Sequence, residues 1–295
     1  MGRGDVHNGV RDRARGGEPV HLRLTRRGLL AGVLASAALS ACDSAPAAAP
    51  SPTPSLVPPE DVPLAVWELT GGLTAPGIAA LRPPRLVVYG DGDTIADAAY
   101  LSRLDPDKLQ ALATGLTGDL RSDAAQKQPT VTPTIMDAPV TRVTVWTPTG
   151  PLSFTAVAFD ELKPDHVYAD VLYNARDRLA TVHKTVSATA QPYLATRVRV
   201  VAVPALDTTS GTGGGSPITT GDPSASPTLA AWPTGVQLPP PNSEGLRQAD
   251  LDGDPARAAM RILTRDLDQR GAWPSYQLPD GTAVRACWRY LLPNE

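Results

Sequence analysis

Three carboxylates within seven residues, Asp91, Asp93 and Asp97, have the oxygen chemistry and close spacing that a hard cation such as calcium requires. A β-hairpin accounts for them better, because Gly90-Asp91-Gly92-Asp93 holds the residue types that a turn with positive φ selects. Asp250-Leu251-Asp252-Gly253-Asp254 opens like an EF-hand loop, but Pro255 stands where that loop needs Gly and Arg261 where it needs its bidentate Glu. These acids are expected instead to cap the helix that follows, where negative charge meets the positive end of the dipole. Nucleophilic catalysis needs a base, and beyond residue 41 the histidines are His166 and His183, with no Gly-x-Ser-x-Gly elbow. Read on one long helix, they lie about 100° apart around the axis and about 25 Å apart along it, too far to share a site, so both are expected to be solvated. Cys287 alternates with Arg285 and Arg289, and flanking cations favour thiolate. With no histidine or second cysteine near it in sequence, an inert thiol half covered at a sheet face is the better reading.

Two further chemistries use residues that are distant in sequence. Asp91, Asp93, Asp160 and Glu161 could converge as the acid pair of a hydrolase. Trp232 and Trp273, each followed by Pro, could be surface platforms for sugar rings, whereas Trp67, Trp146 and Trp288 lie inside strand patterns and belong to the core. Phosphate loop, paired metal motif and dinucleotide fingerprint are all lacking, so no cofactor and no resident metal are expected.

The first 41 residues read as an export segment. Arg26 and Arg27 precede a short Ala-rich apolar run, Ala31 to Leu39, too short to span a bilayer as a permanent helix. The arginine pair with its long basic leader resembles a twin-arginine signal. Leu39-Ser40-Ala41-Cys42 resembles the bacterial lipobox, in which the Cys thiol accepts diacylglycerol and becomes N-terminal on cleavage. Several acyl chains anchor stably where one does not. The expected location is therefore the outer face of the cytoplasmic membrane, with lipid on Cys42. Removal of seven arginines and three acids with this segment leaves 20 basic against 27 acidic residues, a formal −7. That sign disfavours nucleic acid as a partner and makes covalent lipid the means of membrane attachment.

The elements that must position these groups are legible as periodicity. After the segment 42–60, the lipidated Cys and a Pro-rich stalk, strands are expected at 64–69, 85–89 and from 94, with the tight turn between the last two. Asp105-Pro106 opens a helix carrying Leu109, Leu112 and Leu116 until Gly118. Residues 142–147 and 152–157 flank Pro148-Thr149-Gly150-Pro151 as a hairpin, and a long helix opens at Pro164-Asp165 with Val167, Val171, Leu172, Ala175, Leu179, Val182 and Val186 inward until Gln191-Pro192. A strand follows at 197–203. Residues 207–231 form a flexible Gly/Ser/Thr/Pro-rich loop. Beyond it, a helix from Asp254-Pro255 turns Ala259, Ile262, Leu263 and Leu267 inward, and 282–290 alternate as a last strand. The fold class is α+β: antiparallel β-sheet with several packed helices and a disordered N-terminal region. Residues 61–206 make the α+β domain, and 232–295 complete the same fold or a small subdomain.

Glu60-Asp61-Val62-Pro63-Leu64-Ala65-Val66-Trp67, Leu86-Val87-Val88-Tyr89-Gly90-Asp91-Gly92, Asp137-Ala138-Pro139-Val140-Thr141 and Arg289-Tyr290-Leu291-Leu292-Pro293-Asn294-Glu295, in this order, resemble a group of uncharacterised actinobacterial secreted lipoproteins. The resemblance spans most of residues 60–295. It implies a lipobox, a stalk and a variable middle, and it brings no activity and no catalytic residue. The expected role is non-catalytic binding or interaction at the cell envelope, with an envelope protein or glycan as partner; the alternative is a cell-envelope hydrolase built on the carboxylate cluster. A third possibility, an assembly partner of an exported enzyme, requires an apolar patch of several hundred Å².

Overall fold

The computed structural model describes residues 57, 62–74, 77–127, 129, 135–189, 191–205, 229–268 and 273–295. The export and lipobox residues Arg26, Arg27, Leu39, Ser40, Ala41 and Cys42, the expected disordered N-terminal region and most of the 207–231 loop lie outside them. The fold is α+β. In chain order the elements are β1 (Pro63–Gly71), α1 (Ile78–Leu81), β2 (Leu86–Tyr89), β3 (Asp93–Ala96), β4 (Tyr100–Arg103), α2 (Pro106–Arg121), β5 (Pro139–Thr147), β6 (Gly150–Val157), α3 (Asp170–Thr189), β7 (Gln191–Pro192), β8 (Val198–Pro204), β9 (Ala230–Ala231), β10 (Arg247–Leu251), α4 (Gly253–Ile262), β11 (Ser275–Gln277) and β12 (Ala283–Tyr290).

Two sheets form. One runs β6-β5-β1-β2-β3-β4-β7 and the other β10-β8-β12-β11-β9. All pairings are antiparallel except β11 with β9. The first sheet is covered on both faces, which is why Leu64–Trp67 and Leu86–Tyr89 are continuous apolar runs and not alternating ones. Trp67, Leu86, Val88, Val143 and Val145 pack under Leu109, Leu112 and Leu116 of α2 and Leu172 and Leu179 of α3. Val66, Val87, Tyr89 and Ile95 share a second cluster with Val198, Val200, Ala202 and Trp288 of the other sheet. A break in register between Pro63 and Ala65 lets Leu64 join the same cluster as Ala65 and Trp67 despite its parity. Val201, Val203 and Cys287 form a third, small cluster with Leu81 and Trp273. Each fully buried Leu or Val contributes about 1.5–3 kcal/mol.

Several expectations are corrected. Helix α2 does not stop at Gly118 but continues to Arg121, because Gly118 lies on the exposed side while Leu120 adds a further buried position to the stripe. Helix α3 begins at Asp170 and not at Pro164: residues 158–166 are a run of turns with Ala158 and His166 at positive φ, so His166 is not on the helix. Val171 of that stripe is only half-buried. Helix α4 buries Ala256, Ala258 and Ala259. It ends at Ile262, and Leu263 turns extended, which leaves Ile262 and Leu267 exposed where they were expected inward. Strand β12 is buried on both faces from Ala286 onward instead of alternating, since Ala286, Trp288 and Tyr290 pack into the cluster shared with the first sheet while Cys287 packs with Leu81 and Trp273 and Arg289 binds Glu295. Helix α1 and strands β4, β7, β10 and β11 are additions, as is β9, which takes the last two residues of the expected loop. Because β10, β11 and β12 join β8, residues on either side of that loop share one sheet.

Candidate functional site

The carboxylate trio is divided by the fold. Asp91 Oδ1 accepts the Asp93 backbone N–H at 2.9 Å within the β2–β3 turn, and Arg103 binds Asp91 at 3.2 Å and Asp93 at 3.6 Å. Burial, with the neighbouring Asp91 charge, raises the Asp93 carboxyl above its ordinary value in spite of Arg103. Asp97 sits beyond β3 at φ 51° and faces other partners. Among the described residues no group of three or more His, Cys, Asp or Glu is placed to hold a metal ion. Asp160 is bound by Arg176, and Glu161 is exposed. The four acids of the hydrolase reading therefore divide between two turns, one anchored by Arg103 and the other by Arg176. Asp250 does not cap α4. It lies on β10 and takes a two-point bond from Arg199 at 2.7 and 2.8 Å, which holds its carboxyl below the usual range. Asp252 occupies the N-cap position without a side-chain cap, and Asp254 pairs with Arg257.

Trp232 and Trp273 are not surface platforms, for each is 8% exposed. Their segments fold back onto the second sheet, and each indole N–H finds an acceptor, the Val236 carbonyl at 2.8 Å and Asp266 Oδ1 at 3.2 Å. Trp67 and Trp288 are buried and Trp146 is half-buried. Cys287 is wholly buried. Arg289 is spent on Glu295, and burial, aided by the Asp266 charge, pushes the thiol up to about 12. The thiolate that flanking arginines would favour therefore does not form. In the Cys42→Ala chain, where Cys287 is the sole thiol, labelling by a thiol-exchange reagent at pH 8 should be negligible in the native state and complete in denaturant. Native labelling at the rate of a free thiol would contradict this assignment.

The two histidines differ. His166 is exposed at the turn before α3, 3.5 Å from Asp170. His183 is not solvated: its side chain is 14% exposed, and its Nε2 lies 2.7 Å from Asp97 Oδ2. Asp97 Oδ1 takes Arg85 Nη1 at 2.9 Å. The Trp67 ring stands edge-on to the imidazole at 5.8 Å, with the Arg85 guanidinium 5.9 Å from the same indole. This junction joins β1, the start of β2, the end of β3 and α3. Sequence reasoning missed it because Asp97 and His183 are 86 positions apart. The available signal was helical spacing, since His183 follows Leu179 by four and precedes Val186 by three, on the inward stripe.

Arg85 and Asp97 also line an open cleft of about 580 Å³ with Arg82 and Asp137, rimmed by Leu73 and Leu267. The Arg82 guanidinium is held by the Gly71 carbonyl at 2.9 Å. The junction is closed on the side of its acid, whereas among the described residues Arg85 Nε and Trp67 Nε1 are buried without a hydrogen-bond partner. Both Asp97 oxygens are occupied, and among the described residues His183 hydrogen-bonds no hydroxyl or thiol. Ser187, one turn further along α3, keeps a buried Oγ without a partner. Through its bonds to Arg85 and His183, Asp97 holds the residues after β3 against α3. No helix among the described residues is long and apolar enough to cross a membrane. Compared with known proteins, the chain matches no protein-family model, no curated protein and no solved structure.

Proposed function

We propose that the chain is an exported lipoprotein, held at the outer face of the cytoplasmic membrane by lipid on Cys42, whose folded body binds a partner at the cell envelope without catalysis. The observation that carries the non-catalytic reading is that Asp97, the acid beside His183, spends both of its oxygens on Arg85 and His183. Leu73 and Leu267 at the rim, 85% and 48% exposed, add apolar surface of the kind that protein partners cover. The anchor and the envelope location rest on the order of arginine pair, apolar run and lipobox ahead of a Pro-rich stalk. The acidic balance disfavours nucleic acid as a partner.

The test is crosslinking on intact cells expressing the chain or its Cys42→Ala form, with fractionation of both and mass spectrometry of the captured products. Membrane association that Cys42→Ala abolishes, and a protein adduct reduced by Leu73→Asp, are the expected results. Membrane association unchanged in Cys42→Ala would overturn the anchor. An adduct indifferent to Leu73→Asp would move the binding surface away from the cleft.

A further inference from the structure

A second concavity, on the helical side of the first sheet, has a different chemistry. It is a groove of about 700 Å³ between α2 and α3, closed at one end by the last residues of β4 and the chain after it. Its apolar lining is Leu104, Leu112, Val182 and Val186, of which Leu112 and Val186 are buried in the core. Its ionisable lining is Arg103, Lys108 and Arg178, all basic. Their acid partners, Asp91, Asp105 and Asp119, stand outside the lining. The lining itself holds three cations and no acid, and although each is paired outside it, the Lys108 ammonium and the Arg178 guanidinium have more N–H donors than their single bonds to Asp105 and Asp119 use.

The remaining polar groups on α3 reinforce the apolar character. The hydroxyls of Thr181 and Thr185 donate back to the carbonyls of Asp177 and Thr181, at 2.9 and 3.0 Å, so neither has a donor left for a ligand. Gly115 leaves room for the Arg178 guanidinium, whose carbon would lie 2.9 Å from a Cβ there, as it crosses α2 to reach Asp119.

We propose that this groove binds a single-chain anionic amphiphile, a fatty acid, with the alkyl chain along Leu104, Leu112, Val182 and Val186 and the carboxylate taken by Lys108 and Arg178. A volume of about 700 Å³ is of the size that holds one small ligand. Charge complementarity selects the anion, since a carboxylate gains charge-assisted hydrogen bonds from both cations. An extended peptide is disfavoured because its backbone carbonyls would meet aliphatic side chains and threonines whose donors are spent. Docking of the groove onto a bilayer is disfavoured too, because the large exposed apolar side chains, such as Leu73, Met136 and Leu194, lie outside its lining, and its own apolar surface is recessed between helices. The inference rests on the reading of the body as a non-catalytic binding module and not on the anchor.

The test is calorimetric titration of the full-length Cys42→Ala chain with dodecanoate, dodecanol and dodecyltrimethylammonium, below their micellar concentrations. One saturable dodecanoate site is expected, with the alcohol about tenfold weaker and the cation weaker still. Lys108→Gln and Arg178→Gln should each weaken dodecanoate about tenfold, and Ala111→Trp, placed at an exposed position of the lining, should block it while leaving the thermal midpoint unchanged. Absence of binding, binding indifferent to Ala111→Trp, or equal binding of the cationic amphiphile would overturn the proposal. So would capture by phosphatidylglycerol vesicles that depends on Lys108 and Arg178 without any binding of free dodecanoate. Loss of dodecanoate binding with the cellular crosslink intact would count against the groove alone. A missing crosslink with dodecanoate bound would count against the protein-partner reading alone.

Discussion

Arg289→Ala should lower the folding free energy by about 3–5 kcal/mol at neutral pH, measured by urea denaturation. Arg289 is 4% exposed on β12, and its guanidinium meets the Glu295 carboxylate end-on, Nη1 to Oε2 at 2.7 Å and Nη2 to Oε1 at 2.6 Å. Glu295 also accepts the Leu292 backbone N–H at 3.0 Å. Burial pushes the Glu295 carboxyl up, but bonds and charge from Arg289, with help from Leu292 and Arg199, bring it below its ordinary value. A depressed folded value means that the pair's stability is fully present above the ordinary glutamate range, about pH 4.3, and is lost as pH falls through the lower folded value. Without Arg289 the burial effect dominates, the folded carboxyl is raised, and the variant is penalised most where Glu295 is charged. The difference between the two proteins should therefore be greatest near pH 7 and shrink below about pH 4. The double variant Arg289→Met with Glu295→Leu should regain most of the loss, because it leaves no buried charge unpaired. A single-variant cost under about 1 kcal/mol, or a deficit that does not change with pH, would show that the pair is solvated.

What the sequence discloses and what it conceals divide along contact distance. The runs at Leu64–Trp67 and Arg142–Thr147 and the hairpin at Pro148-Thr149 are local, and period and turn chemistry are enough to place them. The existence of α2, α3 and α4 is equally legible, while the four-residue α1 is too short to show a period. Helix limits are not, since Gly118 looks like a stop unless Leu120 is known to reach the core, and Pro164 looks like a start unless the turns at Ala158 and His166 are known to intervene. Strand β4, Tyr100-Leu101-Ser102-Arg103, has no repeating apolar position because it lies near the sheet edge, between β3 and the two-residue β7. The site was hidden for the same reason. Each acid has an obvious local explanation, and only long-range pairing reveals that Asp97 belongs to His183 and Asp250 to Arg199. Trp232 and Trp273 mislead in the opposite sense. A Pro after each signals a turn, but a turn that folds onto a sheet buries its aromatic as fully as a strand does.

Phe159→Ala should cost about 3–5 kcal/mol, because this ring joins the helical layer to the end of β6. Phe159 is wholly buried in the turns that lead from β6 to α3. Its ring stacks on Tyr173 at 4.2 Å and meets Tyr168 and Phe154 at 5.4 and 5.3 Å, while Arg176 stands 5.6 Å from its centroid. The tyrosine hydroxyls close the same joint, Tyr173 donating to the Phe159 carbonyl at 3.1 Å and Tyr168 to the Val157 carbonyl at 2.8 Å. Truncation removes an aromatic that cannot be replaced by collapse, because both neighbouring rings are held by these bonds. Tyr173→Phe, which keeps the ring and deletes one hydrogen bond, should cost only about 1 kcal/mol. Comparable losses in the two variants would mean that the joint is held by the hydroxyls and not by packing. The first turn of α3 is attached to the sheet through this joint, and the same helix carries Arg178, Val182 and Val186 into the groove. Phe159→Ala should therefore raise amide exchange along the start of α3 before it exposes the five-stranded sheet, whose cluster does not include Phe159.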